Sequence, residues 1–334
     1  MLYIYQFPDW THFRFDSKKV LDALGKARFA EGKLAGIYDI CGSREFENRI
    51  IAEDIAANFA IDSHALDSEA VLAEVLLKAQ GNEVHIRNYL GAVANSANPL
   101  TLERLESWHQ GYARTRGMRD TGSTITAGSI QFTGPGPERL HGEMENFLNW
   151  FENTPMDGMI KAAIAHFWFL TLRPFHEGNG RLARAISTLQ LCRGRNSTHL
   201  IYALNAQILK KHDEYLSIIN RTQCGNGDIT EWILWFLDQI RDAVQTSESM
   251  LEAGLRRFRF QARHSGTPTG EREQALLEAA IAGTIPREFT AKDVAALFGT
   301  SHDTALREIQ GLIEKGLVAA SKKGGRSRTY SVVE

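Results

Sequence analysis

The stretch Pro174-Phe175-His176-Glu177-Gly178-Asn179-Gly180-Arg181 sets two glycines two residues apart between an acid and an arginine, and Arg184 follows three residues on. Gly178 and Gly180 admit backbone conformations in which consecutive N–H groups point at one spot. A helix beginning near Gly180 adds its positive N-terminal end. Arg181 and Arg184 share a face one turn into that helix. Two guanidinium forks beside a nest of amides make a site for a polyphosphate. Glu177 offers a carboxylate able to hold Mg2+ against phosphate oxygens, and Phe175 is expected to pack inward and fix the loop. A lone Gly-Asn-Gly would read as an ordinary corner with surface arginines. The acid, the Pro-Phe pair and the paired arginines together favour anion binding.

Such a loop needs a rigid frame. Ile160 to Leu172 is apolar almost all round, which predicts a buried central helix, and Pro174 stops it. A second helix is predicted from about Gly180 to Cys192. Asp16 is placed to cap a helix through about Leu34, with Val20, Leu21, Leu24 and Ala27 on one face. Glu45–Asn58, Ser68–Gln80, Arg139–Phe151, Asp213–Asn220 and Thr230–Glu252 read as further helices, the last with Trp232, Trp235, Phe236 and Leu237 as core. Between them Gly111 to Gly136 is rich in Gly, Thr and Ser and reads as a loop or β-hairpin, with Ser129–Phe132 as a short strand.

Pro174 to Arg184 (PFHEGNGRLAR) resembles the signature of the Fic family, His-Pro-Phe-x-Asp/Glu-Gly-Asn-Gly-Arg-x-x-Arg. The apolar helix before it and Asp228-Ile229-Thr230-Glu231-Trp232 after it fit the same pattern. The opening resembles the N-terminal module that precedes Fic cores in one bacterial subgroup, so the likeness extends over about residues 1–250. It implies a mainly α fold: a Fic-type helical core with a short β-hairpin flap. It also implies transfer of AMP from ATP to a Ser, Thr or Tyr hydroxyl of a target protein. In that scheme Glu177 holds Mg2+, and Phe175, the Gly178–Gly180 amides and Asn179 shape and line the phosphate site. Arg181 and Arg184 bind the outer phosphates. Residues 129–132 are the flap that docks the target chain by strand pairing. Tyr215 is a candidate for the base pocket by position, or a core tyrosine.

Two positions depart from the pattern. The family's leading histidine, the general base, is here Arg173. Arginine stays protonated and cannot accept a proton. Nucleotide binding should survive this change while transfer becomes slow, since general-base help is typically worth about 10²–10⁴-fold. Arg173 is open to three readings: a natural variant with weak or altered activity, a deliberate inactivating substitution, or a site served by another base such as His176. The second departure concerns control. Many Fic proteins carry an inhibitory Ser/Thr-x-x-x-Glu-Gly/Asn helix whose glutamate pairs with the second motif arginine. The nearest match is Asn58-Phe59-Ala60-Ile61-Asp62-Ser63. Asp62 is one methylene shorter, so it either inhibits weakly through Arg184 or simply ends a helix.

Residues 271–334 form a separate pattern. Helices are predicted over Glu271–Ala282, Ala291–Phe298 (capped by Thr290) and Ser301 to near Gly316, with strands at Leu317–Ser321 and Thr329–Val333. This resembles a winged helix-turn-helix domain, in which the third helix enters the DNA major groove. His302 and Arg307 are its base-reading candidates. Residues Lys322 to Arg328 would be a wing with four cations for phosphates. DNA contact through 301–328 is therefore one reading; protein contacts or dimerisation is the other. The resulting division is an N-terminal helical module (1–100), a Fic core (101–255), a linker (256–270) and the winged helix (271–334).

Composition bounds the rest. The chain has 334 residues, 43% hydrophobic and 23% charged, with a net charge of −2, so DNA or membrane attraction would have to come from a local patch. Three scattered cysteines argue against a disulfide framework or zinc site. The absence of a signal-like start and of a membrane-length apolar run predicts a cytoplasmic protein with no membrane role. Both expected modules are of kinds that often pair, so a homodimer is a candidate assembly.

Overall fold

The computed structural model describes residues 2–333 except 63, 78–83, 111–114, 128–129, 265 and 322–327. It divides into two compact units, Met1–Ala35 with Ser43–Ser247, and Gly36–Gly42 with Glu248–Glu334. A 3-10 turn at Ile4–Gln6 is followed by α1 (Ser17–Cys41), α2 (Arg44–Ala60), α3 (Ser68–Leu76), α4 (Val84–Ala94) and α5 (Leu102–His109). The strands β1 (Thr124–Ala127) and β2 (Ile130–Thr133) come next. Then follow α6 (Pro137–Asn153), α7 (Gly158–Leu172), α8 (Asn179–Gly194), α9 (Leu204–Lys210), α10 (His212–Gln223) and α11 (Thr230–His264). The fold is mainly helical, as expected. No helix among the described residues is long and apolar enough to cross a membrane.

At the centre of the first unit α7 packs on α8. Asp157 caps α7 by accepting from the N–H groups of Met159 (2.8 Å) and Ile160 (3.3 Å). Every residue of α7 is buried, which is what its all-round apolar sequence requires. The start of α7 and the end of α8 cross on bare backbone. A Cβ built on Gly158 would stand 2.8 Å from the Cα of Gly194, so no side chain fits there. Trp232 ties α11 to the pair by donating its indole N–H to the carbonyl of Ala163 (2.8 Å). Phe147 and Phe151 of α6 complete the core.

Several boundaries differ from the sequence reading. Asp16 does cap α1, accepting from Lys18 and Lys19 N–H, but α1 continues past Leu34 to Cys41 because Leu34 and Ile37 are buried. Leu21 is 68% exposed rather than core; Val20 and Ala27 carry the buried face. Three short helices, α4, α5 and α9, were not anticipated. Helices α2 and α4, from the expected N-terminal module, pack on α8 within the first compact unit. The stretch expected as linker, 256–270, is helical up to His264, since nothing before Gly266 and Pro268 interrupts the run.

In the second unit α12 (Glu271–Ala282), α13 (Ala291–Phe298) and α14 (His302–Glu314) pack with an antiparallel ribbon of β3 (Val318–Ala320) and β4 (Tyr330–Val332). Thr290 and Asp293 form a reciprocal cap on α13, and Ser301 caps α14. The core includes Leu276, Phe289, Val294, Ile309, Leu312 and Tyr330. Phe289 and Tyr330 exchange backbone hydrogen bonds of 2.9 and 2.8 Å, which anchors the ribbon to the chain entering α13. Of the expected wing, Lys322, Lys323, Gly324, Gly325, Arg326 and Ser327 lie outside the described residues. Arg328 is exposed, with its guanidinium over the Tyr330 ring.

A buried polar chain laces α2, α4, α8 and α9 together. Asp54 of α2 accepts from the backbone N–H (2.7 Å) and side-chain amide (2.8 Å) of Asn205, and it meets the hydroxyl of Tyr89. The Tyr89 hydroxyl donates to Asp54, and its oxygen lies 3.0 Å from the Thr188 hydroxyl, which in turn is 3.2 Å from the carbonyl of Arg184. Burial pushes the Asp54 carboxyl up to about 7, against the pull of Tyr89, Asn205 and Arg184. A raised folded pKa means stability that is fully present below the unfolded value of about 3.9 and is lost as pH rises towards the folded value. Stability should therefore fall between about pH 4 and pH 7, by up to roughly 4 kcal/mol from this group. Denaturant unfolding of Asp54→Asn across that range should show a flatter pH dependence than the parent.

Candidate functional site

The loop between α7 and α8 is held by its backbone. Arg173 ends α7 in the left-handed region (φ 48°, ψ 59°), with its N–H on the carbonyl of Phe169 (3.0 Å). Its own carbonyl accepts from Arg119 Nε at 2.7 Å. Arg119 is buried and also donates to the carbonyls of Thr121, Pro135 and Leu172, while its N–H reaches the carbonyl of Pro174. One guanidinium thus satisfies the carbonyl end of α7 and joins it to the chain on both sides of the β1–β2 pair. Sequence reading missed Arg119, which sits in a stretch read as Gly/Ser/Thr-rich loop.

Asn179, only 2% exposed, closes the loop by accepting from the N–H of Phe175 (3.0 Å) and donating to its carbonyl (2.7 Å). Its amide therefore shapes the turn rather than standing ready for a ligand. Gly178 takes φ 75°, where an L side chain would be strained. Phe175 is buried, as expected, and stacks on His109 with ring centroids 4.2 Å apart. His109 Nε2 donates to the carbonyl of Glu177 (3.1 Å), and burial holds the imidazole pKa below its ordinary value. His109 was also missed; it lies on α5, one of the unanticipated helices. The first backbone bond of α8 runs from Leu182 N–H to the carbonyl of Gly178 (3.1 Å), so the amides of Asn179, Gly180 and Arg181 precede it at the positive helix end.

Arg181 and Arg184 converge as expected, and Asp62 reaches both. Its two oxygens lie 3.3 Å from Arg181 Nε and 3.1 Å from Arg184 Nη2. Gly180 makes this approach feasible, since a Cβ there would stand 3.0 Å from Asp62 Oδ1. Arg184 is 1% exposed and further donates to the side-chain and backbone oxygens of Asn58 at 2.5 and 2.8 Å. Burial opposes its charge, but Asp62 and Tyr215 beside it hold its pKa above the ordinary value. Arg181 also lies over the Phe59 ring, 5.2 Å from the centroid.

These groups line a cavity of about 400 Å³ that includes Asp62, Arg173, Glu177, Arg181, Arg184 and Tyr215. Glu177 is exposed there. The side chain of Arg173 donates from Nε to Ser123 Oγ (2.9 Å). Burial and Arg119 push its pKa down to about 10, which still leaves it charged at neutral pH. His176, exposed on the cavity wall, lies 3.4 Å from Asp120. Tyr215 is both core and wall. Its hydroxyl meets His166 Nε2 at 2.8 Å, and burial pushes its pKa up to about 12. The expected flap is a strand pair beginning at Thr124, with Thr124 opposite Thr133 and Ile125 opposite Phe132; Ser129 lies outside the described residues. No cluster of three or more His, Cys, Asp or Glu that could hold a metal occurs among the described residues.

Comparison with known proteins fits this geometry. The Fic/DOC family model matches residues 99–191, and a domain of unknown function, DUF4172, matches residues 3–76. A Fic family protein from Desulfovibrio desulfuricans G20 shares the fold at a TM-score of 0.57 and 20% identity, over 95% of this chain and 97% of its own. A Fic domain containing signaling protein from Bacteroides thetaiotaomicron VPI-5482 does so at 0.51 and 15% identity, over 70% of this chain and 98% of its own. The helix–loop–helix that builds the cavity thus lies in a Fic/DOC family domain, and the chain has the Fic fold.

Proposed function

We propose that the chain is a Fic-type protein adenylyltransferase, moving AMP from ATP to a Ser, Thr or Tyr hydroxyl of a target protein, and that Arg173 weakens or silences the transfer. The observation that carries this is the cavity itself: the α8 N-terminus, Arg181 and Arg184 meet Glu177 on one side and a cation at the base position on the other. Arg181 and Arg184 bind the outer phosphates, and the amides before Leu182 cradle the chain of oxygens. In the transfer the target hydroxyl bonds to the α-phosphorus and pyrophosphate departs. The hydroxyl proton finds no acceptor at 173. The exposed carboxylate of Glu177 suits Mg2+, which takes one or two protein carboxylates and completes its shell with phosphates and water. When bound, Mg2+ would neutralise phosphate charge. The strand pair β1–β2, with Thr124, Thr126 and Gln131 exposed, is the surface on which a target chain would dock.

Arg173→His supplies the missing acceptor. Radiolabelled α-phosphate transfer should rise by about 10²–10⁴-fold over the parent, with ATP affinity by calorimetry little changed. Equal transfer by both proteins would show that a base at 173 is not what limits the chemistry.

Asp62 sits where outer phosphates would go, so a triphosphate must displace it from both guanidiniums. Asp62→Ala should tighten ATP binding by roughly tenfold, the scale of about 1.4 kcal/mol. Unaltered affinity would mean that Asp62 does not compete.

A second reading is that the core holds nucleotide without turnover and regulates a DNA-binding winged helix. The permanent charge of Arg173 favours holding over turnover. In the second unit the capped helix α14 beside a two-stranded ribbon suits a recognition helix and wing. Deleting residues 271–334 should abolish a salt-sensitive mobility shift of DNA; a shift that persists after the deletion rejects this reading. Pairing of two chains, read by light scattering, belongs to the same proposal.

A further inference from the structure

A second cavity of about 350 Å³ lies within the first unit, walled by α2, the segment that follows it, α9 and α11. Alanines make most of its apolar wall, among them Ala57 and Ala60 of α2, Ala206 of α9 and Ala243 of α11. Protein interiors are packed like organic crystals, and leucine at any of these positions would occupy much of the space. Two polar residues line the cavity as well. Ser247 is 1% exposed and Gln207 is 8% exposed, and neither side chain makes a hydrogen bond among the described residues. Neither is among the fully enclosed polar atoms that lack a partner, so their amide and hydroxyl open onto the cavity, where a ligand can take the place of water. Lys210 and Glu53, both exposed and without an ion-pair partner among the described residues, also line it.

We propose that this cavity binds a free apolar amino acid, with its aliphatic or aromatic side chain on the alanine wall, its carboxylate near Lys210 and its ammonium near Glu53. Gln207 and Ser247 complete the recognition of the polar end. The match rests on chemistry at four points: an apolar wall, one cation, one anion, and two neutral polar groups open to the cavity. A hydrocarbon would leave Gln207 and Ser247 unpaired, and a polar metabolite would strand the alanine wall. The site is separate from the Arg181–Arg184 cavity and does not depend on the nucleotide reading.

The test titrates the full chain with L-leucine, L-phenylalanine and L-tryptophan by calorimetry, backed by saturation-transfer NMR. Phenethylamine, which lacks the carboxylate, and N-acetyl-phenylalanine, which lacks the ammonium, serve as controls. At least one of the three amino acids should bind saturably, at one per chain, and the controls should bind at least about tenfold more weakly. Lys210→Ala and Glu53→Ala change exposed residues and leave folding intact; each should weaken binding by roughly tenfold. Ala206→Leu should abolish it. No binding of any of the three at millimolar concentration overturns the proposal. So does binding that Lys210→Ala, Glu53→Ala and Ala206→Leu all leave unchanged.

Discussion

A guanidinium almost wholly withdrawn from water has to be neutralised from inside the protein, and Arg184 is neutralised by the end of α2. Asn58 receives two of its N–H groups and Asp62 receives its charge. Removing one partner of such a pair leaves an uncompensated buried charge, which is among the more costly single defects a fold can carry. That requirement fixes where α2 ends relative to α8. It also brings Asn58 and Asp62 of the N-terminal segment into the site, within the compact unit of residues 1–35 and 43–247.

The same cavity gathers three cations and two carboxylates. Arg173, Arg181 and Arg184 line it with Asp62 and Glu177, and Asp62 pairs with two of the arginines. Each arginine is held differently. Arg184 is locked by Asn58, Arg181 rests on the Phe59 ring, and Arg173 is tethered at Nε to Ser123. A ligand anion entering here would exchange one carboxylate for several oxygens on guanidiniums already in position, so little ordering of the arginines is required on binding.

Much of the site was legible in the sequence because its signals are local. The Gly178–Gly180 spacing, the Arg181–Arg184 spacing and the all-round apolar run of α7 each depend on neighbours within a turn or two. What escaped depends on distant partners. Arg119 matters because carbonyls from four separate positions surround it, and nothing in its own neighbourhood announces that. His109 rides on an eight-residue helix too short for a periodic pattern to stand out. Leu21 shows the opposite failure. Its spacing from Leu24 suggested a shared face, but the packed face of α1 runs through Val20, Ala27 and Leu34 and leaves Leu21 in solvent. Whether Asp62 spans to the arginines turned on one methylene and on the bare backbone of Gly180, and only coordinates settle such a distance.

The left-handed turn at position 173 is secured through that residue's own backbone groups: its N–H is held by the carbonyl of Phe169 and its carbonyl by the Arg119 guanidinium. Neither bond involves the side chain at 173, so both are open to histidine as to arginine. Histidine and arginine codons of the CAY and CGY kind differ by one transition in the middle base. A lineage with this scaffold stands a single nucleotide away from the other residue at the head of the loop, in either direction, with both backbone anchors of the turn retained.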